Sequence, residues 1–212
     1  MAHKEVSVLQ ESFKQHYGSN LSKNMLHDLL ISSKSGKTLD WEGGETTNLS
    51  KIVHDALSLH LKNCLPPELL RIVQQRKKIE WKGLTYSTSQ HNRKNAFIVF
   101  TVDGMTQAGL IQEIFLHRRS KEKYEWIVEP FCAVLPLKSL SEAEQDPYAK
   151  YPLLDIRLYH NQYEQLVVIS LHDIVSHAAS CRITYPSIAN DLLVMQSLDR
   201  VCALYFWFRL FN

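Results

Sequence analysis

The chain has 212 residues, of which 45% are hydrophobic and 22% charged, and its formal net charge is +2. That composition excludes a disordered, collagen-like or coiled-coil chain, and so small a net charge gives the whole molecule no strong field for phosphate or membrane. The length fits one or two domains. The start, Met1-Ala-His-Lys-Glu-Val-Ser-Val-Leu, lacks the apolar core of a signal peptide. The longest apolar run, Val201 to Phe208, falls far short of the ~20 residues that cross a bilayer. Four cysteines, Cys64, Cys132, Cys181 and Cys202, are scattered with no C-x-x-C pair, so the expectation is an intracellular chain with reduced thiols.

In chain order, residues 1–77 read as helical. Val6, Leu9 and Phe13 give one apolar stripe, and Leu21, Met25, Leu26, Leu29 and Leu30 give another after Ser22. A polar, glycine-bearing connection follows. A third helix is expected from about Leu49, with Ile52, Val53, Ala56, Leu57 and Leu61 at helical spacing. Pro66-Pro67 ends it and opens a fourth, from Glu68 to about Gln75.

After Lys78 the pattern changes to short runs rich in β-branched and aromatic residues: 85–88, 96–102, 109–116, 125–128 and 165–169. Turn signals separate them at His91-Asn92, Asp103-Gly104, Arg119-Ser120 and Asp146-Pro147. Such spacing without intervening helices predicts an antiparallel barrel or sandwich. The expected fold is therefore α+β, with a helical region over 1–77, an antiparallel β-module over 78–200 and an apolar tail over 201–212.

Charge is uneven. Residues 51–100 hold nine Lys/Arg, including Arg71, Arg76, Lys77, Lys78, Lys82, Arg93 and Lys94, against three acids. A second cluster, with Arg118 and Arg119, is expected at a hairpin tip. A local excess of this kind steers polyanions even where the total charge is small. The residues expected to meet a nucleic-acid backbone are Arg71, Arg76, Lys77, Lys78, Lys82, Arg118 and Arg119.

Catalytic signatures are sparse. Three His-Asp dipeptides (His27-Asp28, His54-Asp55, His172-Asp173) suggest a metal phosphohydrolase only if ligands gather from separate elements. His177 and Cys181 share a face on a helix, yet a structural zinc needs four ligands. Glu80-Trp81-Lys82 matches half of a magnesium nuclease site without the upstream aspartate. There is no G-x-S-x-G, no G-x-x-x-x-G-K-[ST] and no G-x-G-x-x-G, and the chain has seven glycines. No cofactor or metal is expected. A binding module fits better than an enzyme, with a nuclease or phosphohydrolase using Glu80/Lys82 or the His-Asp pairs as the alternative. An adaptor of protein partners, with no nucleic-acid role, is the third reading.

A series of landmarks carries a resemblance. It runs Lys82-Gly83-Leu84-x-Tyr86, Asn95-Ala-Phe-Ile-Val, Gly109-Leu-Ile-Gln-Glu-Ile-Phe-Leu-His117, Trp126-Ile-Val-Glu-Pro-Phe131, Asp146-Pro147-Tyr148 and Leu198-Asp199-Arg200. This order resembles the accessory C-terminal region of fungal DDE-type transposon proteins, KDZ-like ones among them. In outline it is also similar to a bromo-adjacent homology module. The resemblance implies non-catalytic recognition of chromatin, DNA or a protein partner in a mobile-element-derived, nuclear setting. It also implies an aromatic cage for a methylated lysine, walled by Trp126, Tyr148 and Tyr151 with Glu129 adding a carboxylate. The N-terminal helices would then cap the barrel or join two copies of the chain.

Overall fold

Short runs rich in β-branched and aromatic residues make strands, and two left-handed turns fold four of them into hairpins. The computed structural model describes residues 41, 45–61, 69–122, 125–151, 154–185 and 188–198, all within one compact unit, Asp40–Asn212. In order the elements are β1 (Thr46–Asn48), α1 (Lys51–His60), β2 (Ile72–Arg76), β3 (Lys78–Trp81), β4 (Leu84–Ser87) and β5 (Phe97–Val102). There follow β6 (Met105–Glu122), β7 (Glu125–Ser139), β8 (Ile156–Tyr163), β9 (Val167–Ser170), β10 (Ile174–Tyr185) and β11 (Ala189–Ser197). Lys82 and Gly83, with φ of 49° and 73°, join β3 to β4, while Asp103 and Gly104, at 50° and 78°, join β5 to β6. Both are type I′ turns, whose twist matches that of the strands they connect.

All the pairings are antiparallel, and six of the strands close on themselves in the order β6-β5-β10-β11-β8-β7 and back to β6. The long β6–β7 hairpin continues past this barrel. There β2 pairs with β6 and β9 with β7, and β1 extends the sheet beyond β2. The change of partners coincides with a bulge. Ile111 lies opposite Val134 but Glu113 lies opposite Ala133, so Gln112 is the extra residue. A bulge bends its strand and shifts the alternation of side chains. Ile111 and Ile114, three apart, thus come to share one face, and both are buried.

Helix α1 covers the other face of this second sheet. Ser50 caps it, accepting a hydrogen bond from Val53 N at 3.3 Å. Val53 and Leu57, one turn apart, join Leu49, Leu61, Val73, Phe115, Phe131, Ala133 and Val168 in one core cluster. Inside the barrel the walls come so close at Gly109 that an added Cβ would lie 2.8 Å from Leu135 O.

The α+β expectation is thereby corrected. Among the described residues the chain is mostly β, with α1 as its one α-helix. The helix expected over Glu68–Gln75 is replaced by β2, where Val73 and Gln74 are both buried between neighbouring strands. A short apolar run cannot be assigned by periodicity, and sheet pairing decided this one. The expected tip at Arg119-Ser120 is strand, and β6 runs on to Glu122, which pairs with Glu125 of β7. The helical stripes before residue 40, Pro66-Pro67, Cys64, Cys202 and the tail over 201–212 lie outside the described residues.

Candidate nucleic-acid interface

From residue 69 to 95 the chain carries seven Lys/Arg and a single acid, Glu80. This stretch folds into β2, the β3–β4 hairpin and the turn Arg93–Asn95, which Asn92 caps by accepting from Lys94 N at 3.1 Å. Alternation along β3 buries Ile79 and half-buries Trp81, whose ring meets that of His172 edge-on at 4.7 Å. Lys78 and Glu80 are left on the outer face, and Lys82 sits on the turn. Tyr86 of β4 is buried and stacks on His177 at 4.2 Å, fixing the hairpin to β10.

Arg71, Lys77, Lys78, Lys82, Arg93 and Lys94 are exposed. Among the described residues none of the six forms an ion pair. The Arg93 guanidinium lies over the Phe97 ring at 5.9 Å, a cation–π contact that leaves its charge uncancelled. Arg76 is the exception in this stretch: half-buried, it donates to Gln74 Oε1 at 2.6 Å, and Gln74 in turn donates to Trp41 O at 3.1 Å.

The other expected contacts divide between the two faces of the β6–β7 hairpin. Arg118 stacks on Trp126 at 4.5 Å, whereas Arg119 donates to Glu129 at 2.6 Å. Adjacent positions on a strand point opposite ways, so Trp126 and Glu129 lie on opposite faces. Arg119 is thus neutralised within the chain, and one face of the Trp126 ring is already occupied by a cation.

Tyr148 and Tyr151 belong to the loop before β8. Asp146 shapes that loop by accepting from Tyr148 N at 2.8 Å and Leu158 N at 3.0 Å. In β8, Arg157 reaches Thr106 O at 3.1 Å, near the start of β6, while Trp126 pairs with Ser120 near its end. The structure therefore does not bring Trp126 together with the two tyrosines. The loop's own polar anchor is Glu144, which accepts from Ser141 N and Oγ at 2.8 Å and lies 3.1 Å from His160 Nε2. These hydrogen bonds hold its carboxyl down at about 2, the Ser141 N–H contributing most.

The catalytic alternatives do not assemble. Among the described residues no group of three or more His, Cys, Asp or Glu could hold a metal ion. His54 sits 3.3 Å from Leu69 O, Asp173 caps the turn at Ser170 N (2.9 Å), and His27-Asp28 lies outside the described residues. His177 and Cys181 are on β10, not a helix, so four residues separate them by roughly 13 Å, too far to share a metal. Glu80 and Lys82 are solvent-exposed and belong to no metal-binding group among the described residues. A cavity lined by Val99, Thr106, Asp155, Arg157, Tyr159 and Ser197 has room for little more than one water, against about 300 Å³ for a small-molecule site.

One buried group escaped sequence reasoning altogether. His117, within the expected basic cluster, is fully buried on the helix-backed sheet, with Nε2 3.0 Å from Leu70 O. Burial pushes its pKa down, with Arg119 and His54 adding to the effect and Leu70 O and Glu129 opposing it. Arg93 and Lys94 were visible as charges but not as contacts, although the neighbouring Asn92 is a capping residue that could have placed them on an exposed turn. Searched against protein families, curated proteins and solved structures, the chain matches none.

Proposed function

We propose that this chain is a non-catalytic nucleic-acid-binding module that contacts the phosphate backbone with the β2–β3–β4 flank and the Arg93–Asn95 turn. One observation carries the reading: six exposed cations on consecutive elements have no carboxylate partner among the described residues. Unpaired surface cations gathered on one stretch release counterions from a polyanion, and that release is the main source of backbone affinity. A DNA duplex is the target we propose, in keeping with the chromatin setting that the resemblance of the sequence landmarks implies.

The test is fluorescence anisotropy of a labelled duplex at about 50 and 200 mM salt. If about four phosphates are neutralised, affinity drops on the order of a hundredfold across that range. Changing Lys77, Lys78 and Lys82 together to Gln weakens binding and lowers the salt slope by about three units. Unchanged affinity and slope in that variant would remove the flank as the contact.

A second reading, recognition of a protein partner, is favoured by Trp126. Its side chain is 49% exposed and held by Arg118, and Trp and Arg are the residue types that most often anchor protein interfaces. Trp126→Ala abolishes partner capture under this reading and leaves the salt-dependent DNA affinity unchanged.

A further inference from the structure

Three successive carbonyls on the way into β2 are held from α1, from the residue before its cap, and from β6. His54 Nε2 lies 3.3 Å from Leu69 O, His117 Nε2 lies 3.0 Å from Leu70 O, and Leu49 N donates to Arg71 O at 2.9 Å. A carbonyl only accepts, so each imidazole donates from Nε2 and, when neutral, leaves Nδ1 without a hydrogen. Both Nδ1 atoms are buried, and neither has a hydrogen-bond partner among the described residues. The Phe131 ring, part of the core cluster under α1, meets His117 edge-on at 6.4 Å and His60 at 5.8 Å.

A proton finds little support in this arrangement. On His117 Nδ1 it would make a fully buried cation and a donor without an acceptor. On β6, Arg119 repels it. On β7, Glu129 attracts it, but that carboxylate already accepts from Arg119 at 2.6 Å. On α1, His54 repels it once charged, Asp55 lies 3.8 Å from His54 Nδ1, and Lys51 and His60 are exposed. Arg71 is exposed beside Leu70, β2 brings Arg76, which donates to Gln74 Oε1, and β9 has no charged residue. We propose that His117, with His54 beside it, is an acid-sensitive latch: closed at neutral pH, it pins α1 and residues 69–71 to the second sheet, and in mild acid it releases them.

Release is local because the two sides are anchored unequally. Helix α1 buries Val53 and Leu57 of its ten residues, whereas β6 and β7 continue into a closed ring. The face that the helix would uncover is apolar, with Val73, Phe115, Phe131, Ala133 and Val168. Burial is the main reason that His117 resists the proton in the closed form. The open form takes it up near the ordinary value of 6.5, the closed form only further down. Between the two values the open population grows about tenfold for each pH unit.

Hydrogen exchange of the full chain, read by mass spectrometry at about pH 7.5, 6.5 and 5.5 and corrected for the intrinsic pH dependence of amide exchange, tests this. Protection of α1 is expected to fall by up to about tenfold between the last two points while that of β5 holds. His117→Gln keeps a donor for Leu70 O and has no proton to gain, so the protection of α1 becomes level across the range. The proposal is overturned if α1 in the wild-type chain is indifferent to pH, if α1 and β5 lose protection in step, or if the pH dependence survives His117→Gln. The wild-type comparison of α1 with β5 decides the matter even where His117→Gln does not fold.

Discussion

The barrel and the helix-backed sheet share the β6–β7 hairpin and manage their exposed strands differently. The barrel removes its edges by closing a ring of six strands, and its close-packed walls leave no space for a side chain at Gly109. The second sheet stays open and buries one face under α1, leaving β1 as a short edge of three residues. A closed ring demands that every register agree, whereas a covered sheet needs only one apolar stripe on its helix. The cations of the proposed interface flank β2, which pairs in the open sheet, and continue onto the β3–β4 hairpin, which is fixed to β10 through Tyr86 and His177, and the turn Arg93–Asn95.

Because β6 and β7 run through both regions, the two are expected to unfold together. Phe100→Ala, in the barrel, removes a fully buried ring and costs about 3–5 kcal/mol. Leu57→Ala, under the helix, costs about 2–5 kcal/mol. In urea each substitution shifts a single transition seen alike by far-UV circular dichroism and tryptophan fluorescence. Two separated transitions in either variant would break the shared-spine account. Gly109→Ala tests the tight barrel wall, since its Cβ would meet Leu135 O and Val134 Cγ1 at 2.8 Å. Destabilisation of about 1–3 kcal/mol is expected there.

Acid sharpens the comparison, because each region holds a group with a different window. The folded pKa of His117 is lowered, so the folded state resists the proton that the unfolded chain accepts. Its stabilisation is complete above about pH 6.5 and is lost as pH falls through the folded value. Burial lowers His177 in the same direction. Glu144, on the loop before β8, is depressed to about 2, so its contribution is present above about pH 4.5 and is lost only as pH falls toward 2. Thermal melts across pH 8 to 2 are expected to decline in two steps. His117→Gln reduces the first step, and Glu144→Gln reduces the second. The smallest effect is Ser50→Ala, which takes the cap from α1 and costs about 1 kcal/mol in the same urea assay.

Much of this was legible one element at a time. Runs rich in β-branched and aromatic residues predicted strands at 96–102 and 109–116, Asp103-Gly104 announced its hairpin, and Ile52 to Leu61 announced a helix that forms as Lys51–His60. The cation excess was also visible, and six of those charges do reach the surface. Other readings went astray where distant chain decides the outcome. His172 to Cys181 suggested a helix face but is a turn and a strand between β5 and β11. Trp126 and Glu129 looked like neighbours in one cage, yet their spacing of three on a strand sends them to opposite faces.

The sequence by itself determined local conformation: two left-handed turns, one capped helix with a two-residue stripe, and a basic stretch with one acid. These follow from preferences that act over a few residues. Tertiary structure alone decided that 72–76 is a strand, that Gln112 is a bulge, that six strands close into a ring, and that His117 is buried while its neighbour Arg118 meets solvent. Those outcomes rest on partners such as His117 and Leu70, 47 residues apart, or Arg157 and Thr106, 51 apart. Strand register is a contract between distant segments, and neither segment carries it alone.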